Sequence, residues 1–194
     1  MANWTDIENN LFNVLRDDYY RQKHAVTSPR SYAHECVQRA RGNALPSFSG
    51  EITVTEVRHP ARPGFPTQFV RGFHSTSADT RFGRWWIAYE LFERFRRATA
   101  MMPPMEREQK IKAFMRARSA VSHDWSNMQG IAELKLPVGD RTPVLVGKAH
   151  HQRLVTDAKH PEYVPNVFLM GGDLQFYICV HKPDWIRERS VAAA

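Results

Sequence analysis

Cysteine is nearly missing from this chain: Cys36 and Cys179 are the whole supply in 194 residues. Two thiols so far apart make neither a disulfide framework nor a zinc pattern, and a reducing compartment is the simpler setting. No apolar run is long enough to cross a bilayer, and no early hydrophobic stretch reads as a signal peptide. The expectation is a soluble protein without a membrane partner. Internal repeats and low-complexity tracts are lacking too, which excludes solenoids and tethers. Acidic residues are outnumbered, 20 against 27 basic ones, for a net charge of +7. That surplus favours phosphate-bearing partners, although excess charge also simply keeps a surface solvated. No motif of high catalytic specificity stands anywhere in the chain.

What is present marks a folded domain. Hydrophobic residues make up 42% and aromatics 11%, more than disordered chains carry. The length suits one globular domain, residues 1–191. The closing Ala192-Ala193-Ala194 reads as a vector remnant. Thr5 and Glu8 have capping-box spacing, and Ile7, Leu11, Val14 and Leu15 follow at helical intervals, predicting a helix over 5–22. Ser28-Pro29 opens a second helix and Gly42 stops it, with Cys36 on its apolar face. β-branched alternation predicts a strand over 51–58, and a proline-rich loop leads to another over 67–74. A helix is expected from Trp85 with Glu90–Arg94 and Glu93–Arg97 pairs, and Pro103-Pro104 divides it from the next. Strands at 131–136 and 143–149 look like a hairpin turning at 138–142. A long loop over 150–165 precedes a last strong strand over 173–181. The order implies an α+β fold: one mostly antiparallel sheet of about five strands, N-terminal helices and a central helical pair.

Three groups of side chains have chemical potential. Arg71, His74, Ser75, Thr76, Ser77, Arg81 and Arg84 form the densest set of anion-binding groups, since arginine's planar fork suits phosphate and short hydroxyls add hydrogen bonds. Trp85 or Trp86 offers a flat face to a planar ring, though tryptophans on a helical stripe more often fill a core. His150-His151 reads as a surface pair at a strand end. It is no metal site, because adjacent side chains there point apart and no further ligand is suitably spaced. Gly171-Gly172-Asp173 then leads into a strand that carries Gln175 and Tyr177 on one face. Cys36 sits mid-helix, which argues against a cysteine nucleophile.

Arg81-Phe82-Gly83 together with Gly171-Gly172-Asp173-Leu174-Gln175-Phe176 resembles the paired signatures of necrotizing-toxin NAD glycohydrolases. The stretches Leu136-Pro137-Val138-Gly139 and Val146-Gly147-Lys148-Ala149 are similar to the strand–turn–strand of NAD-consuming toxins. Arg58 or Arg71 with Ser75-Thr76-Ser77 also resembles the arginine and Ser-Thr-Ser motifs of ADP-ribosyltransferases. This chain departs from both patterns: the second functional arginine and the Glu-x-Glu are absent, and Glu133 is the lone acidic candidate. The resemblance implies NAD as substrate and cleavage of its nicotinamide–ribose bond in a bacterial toxin or effector, with Arg81 on the pyrophosphate and Gln175 placing the nicotinamide ribose. A site for that chemistry needs cationic clamps and a planar slot, which Arg81/Arg84 or Arg71 with Ser75, and Trp85 or Tyr177, could supply. Gln175, Glu133 or His74 would act at the ribose. An immunity protein, a protein or nucleic-acid target, and a cytoplasmic or delivered location follow from the same resemblance, with no metal expected. The rival reading is a basic RNA-acting protein, a ribonuclease or binding module, built on His74 or His150-His151 with the arginines.

Overall fold

The computed structural model describes residues 3–41, 48–61, 65–73, 83–119, 126–169 and 171–193. The chain is α+β, as expected. Helices α1 (Trp4–Leu15), α2 (Asp18–His24) and α3 (Pro29–Arg41) come first, and α4 (Tyr89–Ala98) and α5 (Pro104–Ser119) form the central pair. The main sheet contains β1 (Phe48–Arg58), β2 (Gln68–Phe73), β3 (Trp85–Ala88), β4 (Gly130–Lys135), β5 (Arg141–Ala149), β8 (Leu174–Ile178) and β9 (Ile186–Ser190). Its order is β1-β5-β8-β3-β2-β4-β9, and every pairing is antiparallel. A separate ribbon pairs β6 (Gln152–Arg153) with β7 (Phe168–Leu169), inside what the sequence reads as loop.

Several elements differ from their sequence readings, each for a local reason. The single helix expected over 5–22 is two, because Asp17 leaves the helix at φ −62, ψ 134 and its carboxylate takes the Tyr19 amide at 2.8 Å. Asn3, not Thr5, caps the first helix. The helix expected from Trp85 begins at Tyr89. Trp85 to Ala88 instead form β3, since large aromatic and β-branched side chains suit a strand flanked on both sides, here by β2 and β8. Glu93 takes both Arg96 and Arg97, at 2.7 and 2.9 Å, in place of the expected Glu90–Arg94 pairing. Strand β9 escapes notice because Arg187, Glu188 and Arg189 give it the charged signature of a sheet edge.

The expected hairpin over 131–149 is no hairpin: β4 pairs with β2 and β9, and β5 with β1 and β8. The link between them crosses the end of the sheet. Leu136 N donates to Thr67 O at 2.9 Å beside β2, and Gly139 N donates to His59 O at 3.0 Å beside β1. Strands four places apart in a flat sheet stand about 19 Å from each other at ~4.8 Å spacing. Three residues span only about 11 Å at ~3.8 Å each. The sheet is therefore rolled. Its inner face forms one core of Val57, Phe69, Trp86, Leu134, Val144 and Ile178, closed by Trp185 from the turn before β9.

All five helices pack on the outer face. Helices α1 to α3 cover β1, β5 and β8 through Ile7, Leu11, Val37, Ile52, Leu145 and Tyr177. Helices α4 and α5 cover β2, β3 and β4 through Val70, Ile87, Phe92, Ile111, Met115 and Ile131. Helix α2 also grips the closing link. Tyr19 donates to Asp140 Oδ1 at 2.9 Å and accepts from Arg141 N at 3.0 Å, while Arg141 pairs with Asp17 at 2.8 Å. His24 lies at the far end of α2, its ring 5.4 Å from Trp185.

Two outcomes follow from this packing. Leu134→Ala opens a cavity inside the roll and should lower unfolding free energy by about 2–5 kcal/mol in a denaturant titration. Burial holds the His24 pKa below its usual 6.5, with Lys182 and Lys23 adding to that and Asp140 opposing. A depressed histidine contributes stability above 6.5 that is lost as pH falls through the folded value. Thermal melts from pH 7.5 to about 5 should therefore decline in wild type, and more shallowly in His24→Phe.

Candidate functional site

Strand β2 carries Phe69, Arg71 and Phe73 to the inner face and Val70 to the outer, as its alternation requires. Register places Val70 opposite Ile87, so Arg71 stands level with Trp86 of β3 and, one strand further, with Phe176 of β8. The Arg71 guanidinium lies 5.8 Å from the Trp86 ring. It lies against the backbone of Gly83, where a Cβ would meet Arg71 Nη1 at 1.5 Å, so a larger residue there would displace the guanidinium.

Arg71 Nε, Arg71 Nη1 and Trp86 Nε1 have all lost contact with solvent, and none has an acceptor among the described residues. Burial alone pushes the Arg71 pKa down from 12.5 to about 10. An unpaired buried donor costs about 1–3 kcal/mol, and more when it is charged. Buried donors without a partner are rare enough to make this the point on the inner face where an anion's charge would be welcome. His74, Ser75 and Arg81 follow Arg71 in sequence but lie outside the described residues, so their positions add nothing here.

The remaining predicted residues occupy the outer face. Trp85 and Tyr177 are register partners with rings 5.0 Å apart, and Phe48 packs on Trp85 at 4.8 Å. Gln175 is two residues before Tyr177 on the same strand face and is 4% exposed. Trp85, Tyr177 and Gln175 thus share a face, and the sheet separates them from Arg71. Tyr177 is nearly fully buried in the core under α1 to α3, and burial pushes its pKa up. Arg84 is spent on internal partners: it donates to Cys179 O, approaches Cys36 Sγ at 3.8 Å and lies 5.9 Å from the Tyr32 ring. Glu133 faces α4 and is ion-paired to Arg189.

The glycine pair before β8 answers to a local demand. Gly171 and Gly172 have φ +63 and +86, and a Cβ on Gly171 would stand 2.6 Å from Ala149 O. The close approach is to the end of β5, where Gly172 N donates to Ala149 O at 2.9 Å. Arg118 of α5 holds the next residue, Asp173, through both carboxylate oxygens at 2.7 and 2.6 Å. Beside it opens a cleft of about 460 Å³ lined by Phe65, Glu90, Leu91, Arg94, Leu174 and Phe176, at the opposite end of the inner face from Gly83. The sequence names Glu90 and Arg94 only as an ion pair, and nothing in their spacing marks a cleft. The His150 and His151 rings do not diverge: the strand ends at Ala149 and they lie 4.2 Å apart. Among the described residues no group of three metal-ligating side chains occurs.

No family model, curated protein or solved structure matches this chain significantly. The site is therefore described by its own chemistry. If Arg71 stores a cost that an anion relieves, Arg71→Met should raise the thermal stability of the free protein, by about 1–3 kcal/mol. Melting curves of the two proteins check this, and a lower Arg71→Met melting point would count Arg71 as a structural cation.

Proposed function

We propose that this protein acts on a phosphate-bearing nucleotide held by Arg71, and that the nucleotide is NAD, cleaved at its nicotinamide–ribose bond. One observation carries the phosphate part: the three orphaned donors of Arg71 and Trp86 on the inner face. The NAD part rests on the resemblance of Arg81-Phe82-Gly83 and Gly171-Gly172-Asp173-Leu174-Gln175-Phe176 to NAD-consuming toxins. Chemically, the C1′–N bond breaks with its electron pair leaving on nicotinamide, and water or an acceptor nucleophile takes the ribosyl cation. Fixed cations beside the pyrophosphate hold the dinucleotide while that charge develops. Gln175 cannot reach a phosphate held by Arg71, because the sheet lies between them. In this reading Gln175 and Trp85 organise the outer face.

Nicotinamide release from NAD, followed by chromatography, tests the proposal. Wild type should release it, and Arg71→Met should do so about 10–100-fold more slowly, the loss of one charged hydrogen-bond set. NAD left intact at high protein concentration, with no ADP-ribosyl transfer to protein or nucleic acid, rules this reading out.

The net charge of +7 favours a second reading, a basic protein acting on RNA. Its mark would be RNA affinity that falls steeply as salt rises, since bound phosphates release counterions. Binding that is absent even at low salt would exclude it.

A further inference from the structure

The two cysteines, 143 positions apart in sequence, meet in the fold. Cys36 projects from α3 into the outer core and is 2% exposed, and Cys179, just past β8, is fully buried. Cys36 Sγ lies 3.8 Å from the carbonyl oxygen of Cys179, whose own thiol lies 3.8 Å from Tyr177 O. Arg84 Nη1 stands 3.8 Å from Cys36 Sγ and donates to that same Cys179 carbonyl, which also accepts from Tyr32 OH at 3.1 Å. A guanidinium enclosed beside a thiol is an unusual expense for simple packing. An apolar side chain would fill the space without a desolvated charge. Besides its bond to the Cys179 carbonyl, its position lets it stabilise a thiolate at Cys36.

We infer that Cys36 and Cys179 are a peroxide-reactive thiol pair, in which Arg84 stabilises the attacking Cys36 sulfur and Cys179 resolves it to a disulfide tying α3 to the end of β8. In the first step the Cys36 thiolate attacks one peroxide oxygen and the O–O bond breaks. The expelled hydroxide takes a proton to become water, and Cys36 becomes a sulfenic acid. In the second, the Cys179 sulfur attacks Cys36 Sγ and the S–O bond breaks. The departing hydroxide carries off the Cys179 proton as a second water. Two thiols are thereby oxidised by two electrons, and one hydrogen peroxide is reduced to two waters.

The polarity of the pair follows from its surroundings. The hydrogen bond from the Cys179 thiol holds Cys36 below the usual thiol range, with the attraction of Arg84 and Arg39 adding to it against burial and Glu35. Burial pushes Cys179 well up, and so does its contact with Cys36. The more acidic thiol attacks and the more basic one resolves. Hydrogen peroxide is small and neutral, which suits an attack site with so little exposure. Nothing in this step depends on NAD or on Arg71.

Peptide mapping of the full chain by mass spectrometry, after hydrogen peroxide and without reductant, tests the inference. The expected product is about 2 Da lighter and yields one cross-linked peptide pair containing Cys36 and Cys179, lost again on reduction. Thiols that stay intact under peroxide sufficient to oxidise free cysteine would overturn it, as would Cys36 sulfinic acid with Cys179 untouched. In Cys179→Ser the first intermediate should accumulate and be captured at Cys36 by a 1,3-dione reagent, and an unlabelled Cys36 would also overturn the assignment. Arg84→Gln should oxidise about tenfold more slowly, equivalent to one pKa unit at Cys36, and an unchanged rate contradicts the role given to Arg84.

Discussion

Residues 136–140 join β4 to β5, strands that lie four places apart in the sheet, and the architecture answers to that short connection. So few residues reach from one strand to the other only if the sheet rolls until β1 and β2 approach each other at one end. Once rolled, the sheet encloses a core of its own side chains and needs no helix on that face. The helices are left to the outer face, where they divide into an N-terminal group and the central pair. The closure is secured from outside by Tyr19, which bonds both Asp140 and Arg141, while Arg141 spans Asp17 and Glu56. Any change in the length of the link would have to be met by a change in the curvature of the sheet.

Rolling also decides what each polar residue of the strands becomes. Arg71 is carried inward with Phe69 and Phe73, where its Nε and Nη1 are shut off from solvent and have no acceptor among the described residues. A guanidinium in such apolar company disagrees with the neighbouring choices of residue, and such disagreements mark functional positions more often than random ones. Arg84, close by in space, meets the opposite fate. It turns to the outer face and is surrounded by a carbonyl, a thiol and a tyrosine ring, so its charge serves internal partners. Two arginines that look equivalent in the sequence thus enter opposite faces of the sheet.

The sheet also separates groups that the chain order invites one to combine. Gln175, Trp85 and Tyr177 lie together on the outer face, and Arg71 lies with Trp86 on the inner. The thiol pair lies wholly on the outer face, away from Arg71.

The residues alone determined the α+β class, the faces of β2 and of β8 up to Cys179, and the burial of Cys36, because periods of two and of 3.6 residues are local properties of the backbone. They also held the dense run of arginines and hydroxyls that draws attention to Arg71. They misassigned Trp85 to Ala88, since a short aromatic run packs equally well as helix or strand and only the flanking β2 and β8 settle it. They also made a hairpin of β4 and β5, because a turn sequence says that the chain reverses and not which strands then pair. The shielding of the Arg71 guanidinium, the internal partners of Arg84 and the meeting of Cys36 with Cys179 were decided by tertiary structure alone. Each depends on which face of a rolled sheet a side chain enters and on what distant strands bring against it, and neither is encoded within a window of neighbouring residues.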